Sequence, residues 1–222
     1  RRATAYHEAG HALVAEMLPG TDPVHKVTIM PRGWALGVTW QLPEFDQTSM
    51  DKSKMLNDIS ILFGGRIAEE IFENQKTTGA SNDFERATKM ARAMVTKYGM
   101  SDALGIMVYE DDDASQGYLG GGARIISEAT QQKVDEEIRR ILEEQYDIAR
   151  EIIEANQDKM HAMVDALMKW ETIDRDQLQD ILAGNEPREP RNYQEKDVTP
   201  KKEILGPSDS SSGPTPPPLP AM

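Results

Sequence analysis

Apolar residues recur at helical spacing through most of this sequence. The clearest stripe, over Ser127–Ala155, consists of Val134, Ile138, Ile141, Ile148 and Ile152. Apolar positions that return every three to four residues are typical of a helix that buries one face. The predicted helices cover Thr4–Leu18, Ser49–Asn74, Ala80–Tyr98, Ser127–Ala155, Met160–Trp170 and Asp174–Leu182. The pattern therefore predicts a mainly α-helical fold.

One segment has β character, and it follows the first helix directly. Val27 and Ile29 alternate with polar neighbours, which predicts a strand over 24–30. After a Pro-Arg-Gly turn, β-branched and aromatic residues predict a second strand over 34–42. We expect this hairpin, 24–42, to lie beside the first helix as the only β structure of the chain.

A glycine pair, Gly64 and Gly65, lies inside the helix predicted over 49–74. Glycine costs about 1 kcal/mol relative to alanine within a helix, so its presence needs a compensating reason. We expect another element to pack closely against the helix at this point.

The composition changes near the end of the chain. From Glu186 onwards proline, serine and charged residues dominate, and three consecutive prolines occur at 216–218. Such a segment buries too little apolar surface to offset the entropy of ordering. An acidic, glycine-rich stretch over 110–122 is expected to be flexible for the same reason. The sequence therefore predicts one folded domain over 1–184 and a disordered acidic, Pro/Ser-rich tail over 185–222.

Composition limits the classes of function. The chain has 222 residues, a net charge of −13 and no cysteine. The charge argues against a nucleic-acid partner, and the lack of cysteine excludes disulfides and a cysteine-rich structural zinc site. No apolar run approaches the ~20 residues that a membrane span needs, and no secretory signal is visible. Because the sequence begins without an initiator methionine, we expect it to be a fragment of something longer.

The strongest chemical signal is an H-E-x-x-H motif in the first predicted helix, with His7, Glu8 and His11. Residues at i and i+4 share one helix face, so both imidazoles can bind one metal ion. Glu8 then projects beside the metal, where a general base is placed in zinc hydrolases. The helix is otherwise mostly apolar, and such a helix needs a reason to carry these three polar residues. The motif predicts a catalytic zinc site.

A catalytic zinc usually takes a third protein ligand, and several residues are candidates. His25 and His161 are the remaining histidines, and each is more simply interpreted as structural or solvent-facing. Among carboxylates, Glu69 and Glu70 lie on an otherwise apolar helix, and Asp83 lies in the first turn of another. Helix-dipole and ion-pair roles explain these acids equally well. Spacing alone does not separate the alternatives.

Several motifs together resemble the peptidase domain of the FtsH family, the membrane-anchored ATP-dependent zinc proteases. The motifs occur in the family's order and span about Thr4 to Leu182. They are Thr4–Ala12, Asp22–Ile29 with Pro31–Gly33, Gly64–Glu70, Thr78–Asp83 and Glu171–Asp174.

This resemblance implies the identity of the site residues. It implies that Asp83 is the third ligand of one zinc per chain, with His7 and His11, and that Glu8 is the catalytic base. It gives the two carboxylates at 69–70 supporting roles, with the second of them kept as an alternative ligand. The implied activity is zinc-dependent endopeptidase cleavage of unfolded or membrane-extracted polypeptides.

The resemblance also implies partners that the chain itself does not contain. Members of the family form homo-hexamers, and an AAA+ ATPase domain and transmembrane helices precede the peptidase domain. The phosphate-binding pattern G-x-x-x-x-G-K-[ST] does not occur in this sequence, so we expect ATP to be used by the full-length protein but not bound by this fragment. Membrane contact would come only through the missing N-terminal segments. The resemblance places the domain on the cytoplasmic side of a bacterial inner membrane.

The second predicted strand offers a way to hold substrate. An exposed strand edge over Gly37–Gln41 can pair with an extended polypeptide through backbone hydrogen bonds, with Gly37, Val38 and Thr39 as the candidate substrate-binding residues. The alternative is that this strand only packs Trp34 and Trp40 into the core.

Two other functions compete with the protease interpretation. One is a non-catalytic, zinc-stabilised oligomerisation domain, and the other is a helical interaction domain without metal. A carboxylate that stands beside the metal without binding it, as Glu8 would, has no use in a purely structural site.

Overall fold

The structure, a computed structural model, describes residues 1–31, 37–43, 49–109 and 126–190. The mainly α-helical fold that the sequence predicts is confirmed. The helices are α1 (Arg2–Met17), α2 (Lys52–Ala68), α3 (Ser81–Thr96), α4 (Glu128–Ala155), α5 (Gln157–Trp170) and α6 (Arg175–Leu182). The strands are β1 (Val24–Thr28), β2 (Val38–Gln41) and β3 (Thr172–Asp174).

Helix α1 lies in the core and packs most extensively on α2. At their contact the two backbones meet without an intervening side chain. A Cβ added to Gly10 would lie 2.2 Å from the carbonyl oxygen of Gly64, and one added to Gly64 would lie 2.5 Å from that of Gly10. The close packing expected at the glycine pair is thus confirmed at Gly64.

The sheet has three antiparallel strands in the order β2–β1–β3, so the expectation that the hairpin is the only β structure is wrong. Val27 of β1 pairs with Thr39 on one side and with Ile173 on the other. Strand β3 has three residues, too few to show the alternation typical of a strand in the sequence. It is recognisable as a strand only because it pairs with β1. The second strand was predicted over 34–42, and β2 includes neither Gly37 nor Leu42; residues 34–36 of that prediction lie outside the described residues.

The helix predicted over 49–74 starts later than predicted and is not α-helical over its last residues. It begins after Asp51, whose side chain accepts a hydrogen bond from the backbone N–H of Lys54. At its other end α2 gives way to a π-helical turn, Glu69–Glu73, which ends at Asn74 with a left-handed φ of 51°. A short 3₁₀ turn, Thr78–Ala80, then leads directly into α3.

The apolar stripe of α4 is displaced from the predicted one in its second half. Ile148 is exposed, whereas Ala149 and Ile153 are fully buried. From Val134 to Ile153 the buried positions recur at slightly more than 3.6 residues, which moves the stripe by one position over five turns. Gln145 lies in this stripe and accepts a hydrogen bond from the buried hydroxyl of Ser60, 2.9 Å away.

In the part of the chain that the structure describes, no helix combines the length and apolarity that crossing a membrane requires. The predicted flexible stretch, 110–122, and the tail beyond residue 190 lie outside the described residues. Within 185–190, the guanidinium of Arg188 donates to the carboxylate of Asp180 at 2.7 Å.

Candidate metal centre

His7 and His11 lie one turn apart on α1, and their Nε2 atoms are 3.1 Å apart. The other ring nitrogen of each is engaged: Nδ1 of His7 lies 2.8 Å from a carboxylate oxygen of Glu69, and Nδ1 of His11 lies 2.7 Å from the carbonyl oxygen of Ile61. Both partners are acceptors, so the protons belong on Nδ1. This leaves both Nε2 lone pairs available to a single ion.

The first turn of α3 brings a carboxylate to the same point. Oδ2 of Asp83 lies 3.4 Å from Nε2 of His7 and 3.5 Å from Nε2 of His11. Ligand atoms about 2.1 Å from a tetrahedral zinc are about 3.4 Å from one another. The nitrogen and oxygen donors and their mutual distances therefore fit zinc. Among the described residues this is the one group of metal-binding side chains close enough to share an ion.

The other candidate ligands lie elsewhere. The carboxylate of Glu70 accepts a hydrogen bond from the hydroxyl of Tyr146 at 2.7 Å and faces Arg150. Nδ1 of His161 is 3.0 Å from the hydroxyl of Tyr6, and His25 is exposed on β1. None of the three is grouped with the two histidines of α1.

The pKa values of His11 and Asp83 each depend on the other residue. Burial lowers the pKa of His11, but hydrogen bonding and charge attraction from Asp83 outweigh it and raise that pKa to about 9. Burial raises the pKa of Asp83, yet hydrogen bonds from His11 and His7 bring it well below its ordinary value. Near neutral pH the metal-free cluster therefore holds a proton that a cation must displace.

A second layer of contacts connects His7 to the segment that carries Asp83. Glu69, which bonds Nδ1 of His7, also accepts from the backbone N–H of Thr77 at 3.2 Å and from its hydroxyl at 3.1 Å. Thr77 precedes the 3₁₀ turn that opens α3, and its carbonyl accepts from Arg66 at 2.5 Å. Sequence reasoning missed Thr77, because only the folded chain brings it to Glu69.

Gly65 provides the room for the two imidazoles. A Cβ added there would lie 2.6 Å from Nε2 of His7 and 2.7 Å from Nε2 of His11. The two members of the glycine pair thus serve different contacts, Gly64 with the backbone of α1 and Gly65 with its side chains. Sequence reasoning assigned both to helix packing, since the pattern does not reveal what each one faces.

Glu8 lies beside the three candidate ligands, and 7% of its surface is exposed. Its Oε2 accepts a hydrogen bond from the hydroxyl of Thr39 at 2.8 Å. These side chains open into a cleft of about 1140 Å³, which is also lined by Gly37, Val38 and the rest of β2. The predicted substrate strand thus lies along the cleft. Trp40 is 39% exposed, so its core-packing alternative is wrong for that side chain.

Comparison with known sequences identifies relatives along most of the chain. The sequence profile of peptidase family M41 matches residues 1–181. The ATP-dependent zinc metalloprotease FtsH of Cupriavidus metallidurans is 63% identical over 194 residues, which is 87% of this chain. Proteins of the same name from Slackia heliotrinireducens and from Buchnera aphidicola subsp. Schizaphis graminum are 48% and 44% identical over 82% and 92% of the chain.

These relatives are much longer than the chain. It spans 30%, 24% and 34% of the Cupriavidus, Slackia and Buchnera proteins, respectively. The comparison therefore concerns one region of each relative.

Proposed function

This chain belongs to peptidase family M41, and from that premise we propose that it is the zinc-dependent endopeptidase part of a longer ATP-dependent protease. The observation that carries the proposal is the triangle of Nε2 of His7, Nε2 of His11 and Oδ2 of Asp83, with sides of 3.1, 3.4 and 3.5 Å, beside the carboxylate of Glu8.

In this proposal His7, His11 and Asp83 hold one zinc ion. When bound, zinc supplies the Lewis acidity that activates water and polarises the peptide carbonyl. Glu8 accepts a proton from the attacking water and delivers it to the leaving amine. Glu69 fixes the ring orientation of His7 and increases the basicity of its Nε2, as outer-shell carboxylates do in zinc sites. A carboxylate beside the metal, rather than on it, is what favours hydrolysis over a structural role.

The substrate in this proposal is an extended, unfolded polypeptide that adds a strand to β2. Support comes from the sheet order, because β2 lies at one edge of the described sheet and along the cleft. Gly37 and Thr39 contact Glu8, and Val38 lies between them and lines the same cleft. Pairing through backbone groups depends little on the substrate's side chains, which suits an enzyme that cleaves many unfolded chains.

Strand addition makes a prediction about the substrate backbone. Peptides with a single N-methyl group next to the scissile bond are expected to lose about fivefold to tenfold in kcat/KM, because each lost hydrogen bond is worth about 1 kcal/mol. Matched peptides with alanine at the same positions are the control and should lose less than about threefold. If the side-chain changes mattered and the methyl groups did not, strand addition would be wrong.

We also propose, by analogy with its family, that the chain is part of a larger assembly. The full-length protein is proposed to form a homo-hexamer, to use ATP in a preceding ATPase domain, and to be anchored in a bacterial inner membrane with this domain facing the cytoplasm. Its substrates would then include polypeptides extracted from the membrane.

Two measurements test the function against its rivals. The purified chain, loaded with zinc, is expected to hold one ion per chain and to cleave casein, and a chelator should abolish cleavage until zinc is restored. Zinc without cleavage would favour the non-catalytic, zinc-stabilised oligomerisation domain. A chain that binds no zinc would favour the metal-free helical module.

A further inference from the structure

The carboxylate of Glu8, on α1, accepts a hydrogen bond from a residue of β2. The hydroxyl of Thr39 on β2 lies 2.8 Å from Oε2 of Glu8 and 3.1 Å from the backbone oxygen of the same residue. The single hydroxyl proton favours the closer, charged oxygen, and hydrogen bonds to a carboxylate are roughly twice as strong as those between neutral groups. The contact joins a residue of β2 to a residue of α1 that is 31 positions away in the chain.

Gly37 contacts the same carboxylate. A Cβ added to Gly37 would lie 2.7 Å from Cγ of Glu8 and 2.8 Å from its Oε1. Residues two apart in an extended chain point to the same face, so Gly37 and Thr39 present one face to Glu8. Trp40 points to the other face, where its ring packs against the ammonium of Lys26, 5.6 Å from the ring centroid. The carboxylate of Glu8 thus contacts both Gly37 and Thr39.

We propose that Thr39 is a positioning residue for the general base, a role that rests on the proposed protease function. A glutamate carboxylate on α1 can rotate about its side-chain bonds. The hydroxyl of Thr39 restricts this rotation and keeps the carboxylate directed into the cleft. The hydroxyl belongs to the strand that receives the substrate, so one element fixes both the scissile carbonyl and the base. Thr39 therefore acts on the chemical step through its side chain and on substrate binding only through its backbone.

A positioning role and a merely structural role of the Thr39 hydroxyl predict different effects on kcat, KM and stability. If the hydroxyl only fastened β2 to α1, its loss would reduce stability or substrate affinity, because the strand would move. A positioning hydroxyl instead changes kcat, while KM and zinc content stay as they are. Precise placement of reacting groups contributes to the rate because small displacements cost orders of magnitude.

The test compares Thr39→Val, Thr39→Ser and the parent chain, with Thr172→Val as a matched control. Valine keeps the shape of threonine and removes the hydroxyl, whereas serine keeps the hydroxyl. Thr172 has its own hydroxyl contact within the sheet, 2.8 Å from Thr28, and lies on β3, away from Glu8. We expect Thr39→Val to lower kcat by about tenfold to hundredfold, which corresponds to the loss of one hydrogen bond to a charged group.

The same variant should keep one zinc per chain and a KM within about threefold of the parent value. Thr39→Ser should restore kcat to within about threefold, and Thr172→Val should leave it unchanged. An unchanged kcat in Thr39→Val, a loss confined to KM or zinc content, or no rescue by serine would each overturn the positioning role while leaving the protease function in place. If the zinc-loaded parent does not cleave, both the function and this role are overturned.

Discussion

Replacing Glu8 with glutamine is expected to lower the rate of peptide hydrolysis by about 10²- to 10⁴-fold, the contribution typical of a general base. Glutamine has nearly the same shape, and its amide oxygen can still accept the hydrogen bond from Thr39. It cannot take a proton from water near neutral pH. The three candidate ligands are untouched, so the variant should keep one zinc per chain. The measurement is kcat with a fluorogenic peptide beside zinc content by atomic emission.

The control for this substitution is Glu151→Gln, which removes the same charge from an exposed position on α4. Its activity and zinc content should match those of the parent. Normal cleavage by Glu8→Gln would show that another group is the base. Loss of zinc from the same variant would instead show that Glu8 binds the metal or supports a ligand.

Replacing Asp83 with alanine is expected to remove zinc and cleavage together. In the proposed site, the carboxylate supplies one of three ligand atoms and the negative charge that partly offsets the cation. Loss of an outer-shell partner already costs about 10- to 100-fold in metal affinity, and loss of a direct ligand should cost more. Zinc retained after dialysis against a graded series of chelators measures the change, and casein cleavage is followed in the same samples.

Asp102→Ala is the control for that experiment, because Asp102 is an exposed acid just beyond the end of α3. Its zinc affinity should equal that of the parent. If Asp83→Ala held zinc as tightly as the parent, the third ligand would lie elsewhere and the assignment carried over from the family would fail at this residue.

The sequence predicts part of this site because part of it is local. His7 and His11 lie four residues apart on one helix, so their shared face follows from helix geometry alone. Asp83 is different, because it lies on another helix and spacing could not rank it above Glu69 or Glu70. Family resemblance singled it out, and the structure places it within 3.5 Å of both histidines.

The two adjacent glutamates show why spacing was not enough. Glu69 faces His7 and Thr77, whereas Glu70 faces Tyr146. Neighbouring residues on a helix point about 100° apart, and the π-helical turn that starts at Glu69 changes the spacing further. No periodicity in the sequence marks that turn, so the direction of each side chain could not be predicted.

Contacts between segments that are distant in the chain also could not be predicted from the sequence. Strand β3 exists because Ile173 pairs with Val27, a residue about two thirds of the chain length away. Thr39 reaches Glu8, and Gly65 makes room for His7, only after the sheet and α2 pack on α1. Local patterns predict elements well and contacts between elements poorly, because the latter depend on how the whole core packs.

We expect main-chain atoms to limit the size of the cation that this site can bind. The wall behind the two imidazoles is formed by Gly65, next to the point where Gly10 and Gly64 touch. Main-chain atoms have no rotamers, so the backbone at Gly65 cannot move aside to let the imidazoles bind a cation with longer metal–ligand bonds. Calcium, which takes six to eight oxygen ligands at about 2.3–2.6 Å, would need more space and more donors than α1 offers. Discrimination against larger cations is therefore expected to follow from the close contact between α1 and α2.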